Sequence, residues 1–151
     1  TAQDFAPFGQ ALRASPTRVP LREATEPGGL PGRSVLSVIT HLPTRPDTPL
    51  RQLERHPQSS QTFLPLEAGR WLVACAPDDA AGMPDLTRIQ GFLAGPGDTI
   101  CLRRGVWHAP LMVVDRPAAM AMLMWRCDAG PAFDTEVSDL PVPMPLMLPR
   151  S

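Results

Sequence analysis

The chain has 151 residues, a formal charge of −1 and 19% charged side chains, a size that buries one substantial core and a charge that supplies no basic face for nucleic acid. Every basic side chain other than histidine is arginine, and lysine and tyrosine are absent, which excludes lysine Schiff-base chemistry and proton transfer by a phenol. The three cysteines, Cys75, Cys101 and Cys127, are odd in number and set in apolar runs, so reduced core residues are expected, not a disulfide framework or a thiolate metal site.

In chain order, Asp4 to Ala14 reads as a short helical turn, interrupted by Pro and Gly, that docks Phe5, Phe8 and Leu12 on the body. Residues 15–32 are rich in Pro and Gly, and Ser34 to His41 then alternates with the β-branched content of a strand. Pro43, Pro46 and Pro49 impose a loop. Short apolar or alternating runs follow at Leu50–His56, Gln61–Leu66, Arg70–Ala76, Ile89–Leu93, Asp98–Arg103, Pro110–Val114 and Ala119–Arg126. Most are too short for helices, and turn residues separate them, so the expectation is an all-β sandwich or barrel. Asp78 to Leu86 reads as a polar loop with one helical turn starting at Asp85, and the proline-rich end of the chain as an extended arm. The whole chain is expected to form one domain: residues 1–32 as a helical and loop segment, 33–138 as the barrel and 139–151 as the tail. The longest apolar run, Leu111 to Trp125, is broken by Asp115-Arg116-Pro117 and cannot cross a bilayer. With no signal-peptide pattern at its start, the chain is expected to be soluble and cytoplasmic, without nucleic-acid or membrane partners.

Chemistry concentrates in two clusters that hold two of the three histidines. The first reads Glu54-x-His56-x(4)-Gln61, and the second Gly97-x(5)-Arg103-x-Gly105-x(2)-His108. Glu54 and His56 are two residues apart, so on a strand they share a face. These spacings resemble the cupin motifs His-x-His-x(4)-Glu and Gly-x(5)-Pro-x-Gly-x(2)-His, with Glu in place of the first His and Gln in place of the Glu.

Three ordered segments carry a closer likeness. Leu53-Glu54-Arg55-His56-Pro57 through Leu66, Trp71-Leu72-Val73-Ala74-Cys75-Ala76-Pro77, and Arg104-Gly105-Val106-Trp107-His108-Ala109-Pro110-Leu111 resemble successive signatures of the bacterial ureidoglycolate lyase family. The opening Phe5-Ala6-Pro7-Phe8-Gly9 is similar too. The resemblance implies a cupin-like double-stranded β-barrel, commonly dimeric, that splits (S)-ureidoglycolate into glyoxylate and urea during allantoin and purine breakdown. It implies His108, His56 and Glu54 as catalytic residues, and Glu54, His56, Gln61 and His108 as ligands of a divalent metal. Nitrogen and oxygen donors without thiolate suit Ni, Mn, Fe or Zn without choosing among them. Arg104, Gln61 and Trp107 are then expected to contact a small ureido or hydroxy acid, Arg104 through its carboxylate. The chain departs from the family at Ala109, where a second histidine is usual, and at Leu102, where tyrosine is common. Two rival readings remain: another metal-dependent cupin enzyme for small acids, and a non-catalytic cupin that binds a small molecule. Glu54 and Gln61 also have ordinary structural readings, as a surface ion pair with Arg55 and as a satisfied amide at the barrel mouth.

Overall fold

A computed structural model describes residues 1–24, 27–45 and 48–145. A four-residue helix α1 (Ala2–Phe5) precedes the strands β1 (Gly9–Arg13), β2 (Gly32–His41), β3 (Leu50–Arg55), β4 (Gln61–Glu67), β5 (Trp71–Ala76) and β6 (Gln90–Ala94). Next come β7 (Asp98–Leu102), β8 (Trp107–His108), β9 (Met112–Val113), β10 (Ala118–Cys127) and β11 (Glu136–Met144). They form two antiparallel sheets, ordered β1-β7-β4-β10-β2 and β11-β3-β8-β5-β6, with β9 pairing β5. This is the expected all-β cupin-like architecture, and its sheets remain separate hydrogen-bonded ladders.

Alternation along β5 shows how the layers are held. Trp71, Val73 and Cys75 point into the interior cluster with Phe63, Ile100, Leu102, Met120, Met122 and Met124. Leu72, Ala74 and Ala76 point the other way, into a second cluster with Leu53, Trp107, Ala109, Met112 and Leu140 on the outer face of the same sheet. All six residues of β5 are therefore buried, which is why the segment reads as an unbroken apolar run. Full burial of each large apolar side chain contributes roughly 1.5–3 kcal/mol, so both clusters are major stabilising elements.

Two segments differ from expectation for identifiable reasons. The N-terminal helix stops at Phe5, ahead of Pro7, and the chain turns into β1, where Gly9 packs so closely on β7 that a Cβ would meet the Cys101 carbonyl oxygen at 1.9 Å. Phe5 and Phe8 dock as expected, while Leu12 lies on a strand and is only half-buried. The arm expected from residue 139 is part of β11 as far as Met144, on the edge of its sheet and paired with β3 alone. Its register shifts between Asp139 and Met144, the stretch containing Pro141 and Pro143, which have no N–H to give a ladder. The rest of the expected tail, 146–151, lies outside the described residues. The loop before Leu86 closes as read: Asp85 caps a 3-10 turn at Leu86–Arg88 by accepting the Thr87 N–H at 3.0 Å.

Candidate active site

The strand pattern brings the two sequence clusters together between the sheets. In the β3–β8 ladder Glu54 lies directly opposite His108, so their side chains are cross-strand neighbours, and His56 follows the end of β3 on the same face. The His56 and His108 rings are 5.4 Å apart between centroids, tilted by 50°, and both are buried. One ligand-type atom from each of Glu54, His56 and His108 lies within 4.8 Å of the others. Ligands each held ~2.1 Å from a common ion lie at most ~4.2 Å apart, a little inside that span.

The hydrogen bonds settle which ring nitrogen faces the pocket. His56 Nδ1 is 2.8 Å from the Asp134 carbonyl oxygen, and His108 Nδ1 is 2.8 Å from the Val106 carbonyl oxygen. A carbonyl only accepts, so each Nδ1 carries a proton, and in its neutral form each ring presents an Nε2 lone pair. Both Nε2 atoms are buried with no hydrogen-bond partner, and the nearest acid, Glu54 Oε1, is 3.8 Å from His108 Nε2. Two inward lone pairs fixed by backbone carbonyls, beside a carboxylate, form a donor set that fits a divalent ion. Burial pushes the His108 pKa down to about 4, with His56 acting in the same direction against the Val106 carbonyl, so this ring is neutral at physiological pH. Across the sheet His108 is also opposite Cys75, whose thiol burial pushes well up, so it stands as a neutral wall and not as a thiolate ligand.

Gln61 enters from the facing sheet. It is buried on β4 with its Nε2 at 3.4 Å from the sulfurs of both Met122 and Met124 on β10, and its Oε1 has no partner. Its amide is thus seated on two thioethers with a free acceptor. Leu102, one of the departures from the family, is its register neighbour on β7. Arg104 sits in the turn before β8, where Gly105 adopts φ +78° and donates its N–H to the His56 carbonyl at 2.9 Å. The turn is docked on the histidine segment, and Arg104 spends one N–H on the Pro27 carbonyl at 2.8 Å while its side chain stays exposed. Arg103 is engaged elsewhere, with Glu23 and the Pro7 carbonyl.

Trp107 is not brought to this pocket. The alternation that turns His108 inward turns Trp107 outward into the second cluster, under the Arg55 guanidinium at 4.5 Å and donating to the Gly82 carbonyl at 3.2 Å. Ala109 belongs to that cluster too, so the departure from the family at this position falls outside the histidine pocket. Arg55 pairs with Glu136 at 2.6 Å, which leaves Glu54 facing His108. Two participants went unread in the sequence: the methionine pair that seats Gln61, visible only as a period-two apolar stripe, and Asp134, which has no local motif.

The family model described as ureidoglycolate lyase matches residues 1–143. The chain belongs to the ureidoglycolate lyase family. It is 31% identical over 154 aligned residues to the ureidoglycolate lyase of Rhodobacter capsulatus, covering 95% of this chain and 92% of that one. The ureidoglycolate lyase of Agrobacterium fabrum is 34% identical over 123 residues, covering 74% of this chain and 72% of the relative. Among solved structures, RmlC from Streptococcus suis aligns over 67% of this chain and 55% of its own with a TM-score of 0.45 and 14% identity.

Proposed function

We propose that this protein cleaves (S)-ureidoglycolate to glyoxylate and urea, with the pocket of Glu54, His56, His108, Gln61 and Arg104 as its active site. The observation that carries the reading is the pair of buried, partnerless Nε2 lone pairs converging beside a carboxylate.

The substrate is a carbinolamine, with a hydroxyl, a urea nitrogen and a carboxylate on one carbon. Its cleavage removes the hydroxyl proton, forms the carbonyl and sends the C–N bond pair to the urea nitrogen, which is protonated as it leaves. Glu54, whose side chain is 24% exposed at the pocket edge, is assigned as the group that takes the hydroxyl proton and returns it to the nitrogen. His56 and His108 are the assigned ligands of a divalent metal, with Glu54 beside them as a further donor. A bound divalent ion supplies Lewis-acid polarisation of the hydroxyl and carboxylate oxygens. The free guanidinium edges of Arg104 pair with the substrate carboxylate, and the free Gln61 oxygen accepts from the ureido N–H groups.

The same reading takes the protein as a cytoplasmic homodimer. An outward apolar row, Leu36 (65% exposed), Val38 (68%) and Leu66 (61%), supports an interface on the five-stranded sheet. No helix among the described residues is long and apolar enough to cross a membrane.

The test is turnover of (S)-ureidoglycolate by the purified protein, loaded in turn with Ni, Mn, Fe or Zn, with glyoxylate and urea measured separately. Equimolar release of both with at least one metal is expected. Intact substrate under all four overturns the assignment.

A further inference from the structure

Asp134 follows the 3-10 turn Pro131–Phe133 between β10 and β11, 78 residues beyond His56, and is only 3% exposed. It makes three bonds to one short stretch of chain. Its Oδ1 accepts the Gln58 N–H at 2.7 Å, its Oδ2 accepts the hydroxyl of the buried Ser59 at 2.5 Å, and its carbonyl accepts from His56 Nδ1 at 2.8 Å. A buried carboxylate is costly unless hydrogen bonds stabilise it, and here both oxygens are used on the segment that follows His56. The side chain thereby fixes its own peptide against residues 56–59, and that peptide's carbonyl is the group that holds the proton on Nδ1 of His56. The counterpart on His108 is the carbonyl of Val106, two residues away and held by local geometry; His56 has a partner from a distant segment that must be held in place.

We propose that Asp134 is a positioning residue: through its paired bonds to Gln58 and Ser59 it aims its carbonyl at His56 Nδ1, and so determines that Nε2 faces the pocket. This rests on His56 being a residue of the active site. Ligation through Nε2 requires one tautomer in one orientation, and partners that orient such rings typically contribute 10–100-fold in affinity or activity.

The test compares Asp134→Ala, Asp134→Asn and Ser59→Ala with wild type in the metal-free protein at about pH 8, well above the ordinary imidazole pKa of ~6.5. Long-range 1H–15N correlation of the imidazoles reads the His56 tautomer directly, and kcat and KM are measured after metal loading. Wild type is expected to show His56 with the proton on Nδ1. Asp134→Ala is expected to mix the tautomers and lower kcat by about 10–100-fold, with a much smaller change in KM. Asp134→Asn keeps an acceptor for Gln58 and can donate to the Ser59 oxygen, so it should recover most of the wild-type signal. Ser59→Ala should shift the tautomer in the same direction as alanine at 134, by less. An unchanged His56 tautomer and kcat in Asp134→Ala, whatever its melting temperature, overturn the proposal; if that variant does not fold, an unchanged tautomer in Ser59→Ala does so. The tautomer measurement needs no substrate, so it decides this point even if ureidoglycolate is not cleaved.

Discussion

The histidine pocket and the groove between β1 and β6 both border the interior cluster, yet they differ in what their polar groups are doing. The groove, about 610 Å³, is lined by Phe5, Ala11, Phe92 and Ile100, with Arg13 and Asp98 at its edge. Its ionisable groups are spent on one another: Arg13 pairs with Asp98 at 2.8 Å and holds that carboxyl below the usual range, and Asp4 pairs with the N-terminal ammonium at 2.8 Å. Around the histidines two acceptors are left over, the Nε2 atoms of His56 and His108, and the buried Gln61 amide oxygen on β4 is left over as well. Room alone does not mark a reactive site, and neither does one unpartnered buried atom such as His41 Nε2; His56 and His108 stand out because their unpartnered atoms converge beside the Glu54 carboxylate.

That contrast can be broken by mutation. The largest effect is expected from His108→Ala, which should lower ureidoglycolate turnover by ~10²–10⁴-fold while leaving the far-ultraviolet circular dichroism intact. Wild-type turnover at matched metal occupancy would remove His108 from the mechanism. Next is a pH effect on stability. The folded pKa of His108 is about 4 against an ordinary value of 6.5, so between these values the unfolded chain binds a proton that the folded chain refuses. The metal-free protein should therefore lose stability as pH falls through this window, by up to ~3 kcal/mol from this group. Urea unfolding at several pH values checks it, and in His108→Gln the slope should flatten; an equal slope in both proteins would assign the effect elsewhere. Gln61→Leu, which fills the same space without the free acceptor, should cost a smaller factor of about 10, the worth of one hydrogen bond to substrate, seen in kcat/KM. Gln90→Ala, on the groove, should leave turnover unchanged; a loss comparable to that of Gln61→Leu would mean that the groove shares in catalysis.

How much of this was legible in the sequence follows from which interactions are local. The long strands at 32–41 and 118–127 were readable because alternation is a property of neighbouring residues, and the Glu54, His56 and His108 constellation because motif spacing survives the changed identities at 54 and 61. The N-terminal segment misled because Phe5, Phe8 and Leu12 fall at helical spacing, while Pro7 and the close approach at Gly9 decide for a strand. Trp107 was within reach of the rule that adjacent strand residues face opposite ways: an inward His108 requires an outward Trp107. Asp134 was not legible. Its contribution passes through a backbone carbonyl and a contact across 78 residues, and a single Asp after a Gly-Pro turn reads the same whether it is solvated or buried.

The central claim is that two imidazoles from separate segments act as one donor pair. Calorimetric titration of Ni²⁺ into the metal-free wild type, His56→Ala, His108→Ala and the double variant tests it most directly. The account predicts one ion per chain in the wild type, loss of that site in either single variant, and little further loss in the double. Wild-type affinity retained in both single variants would contradict it.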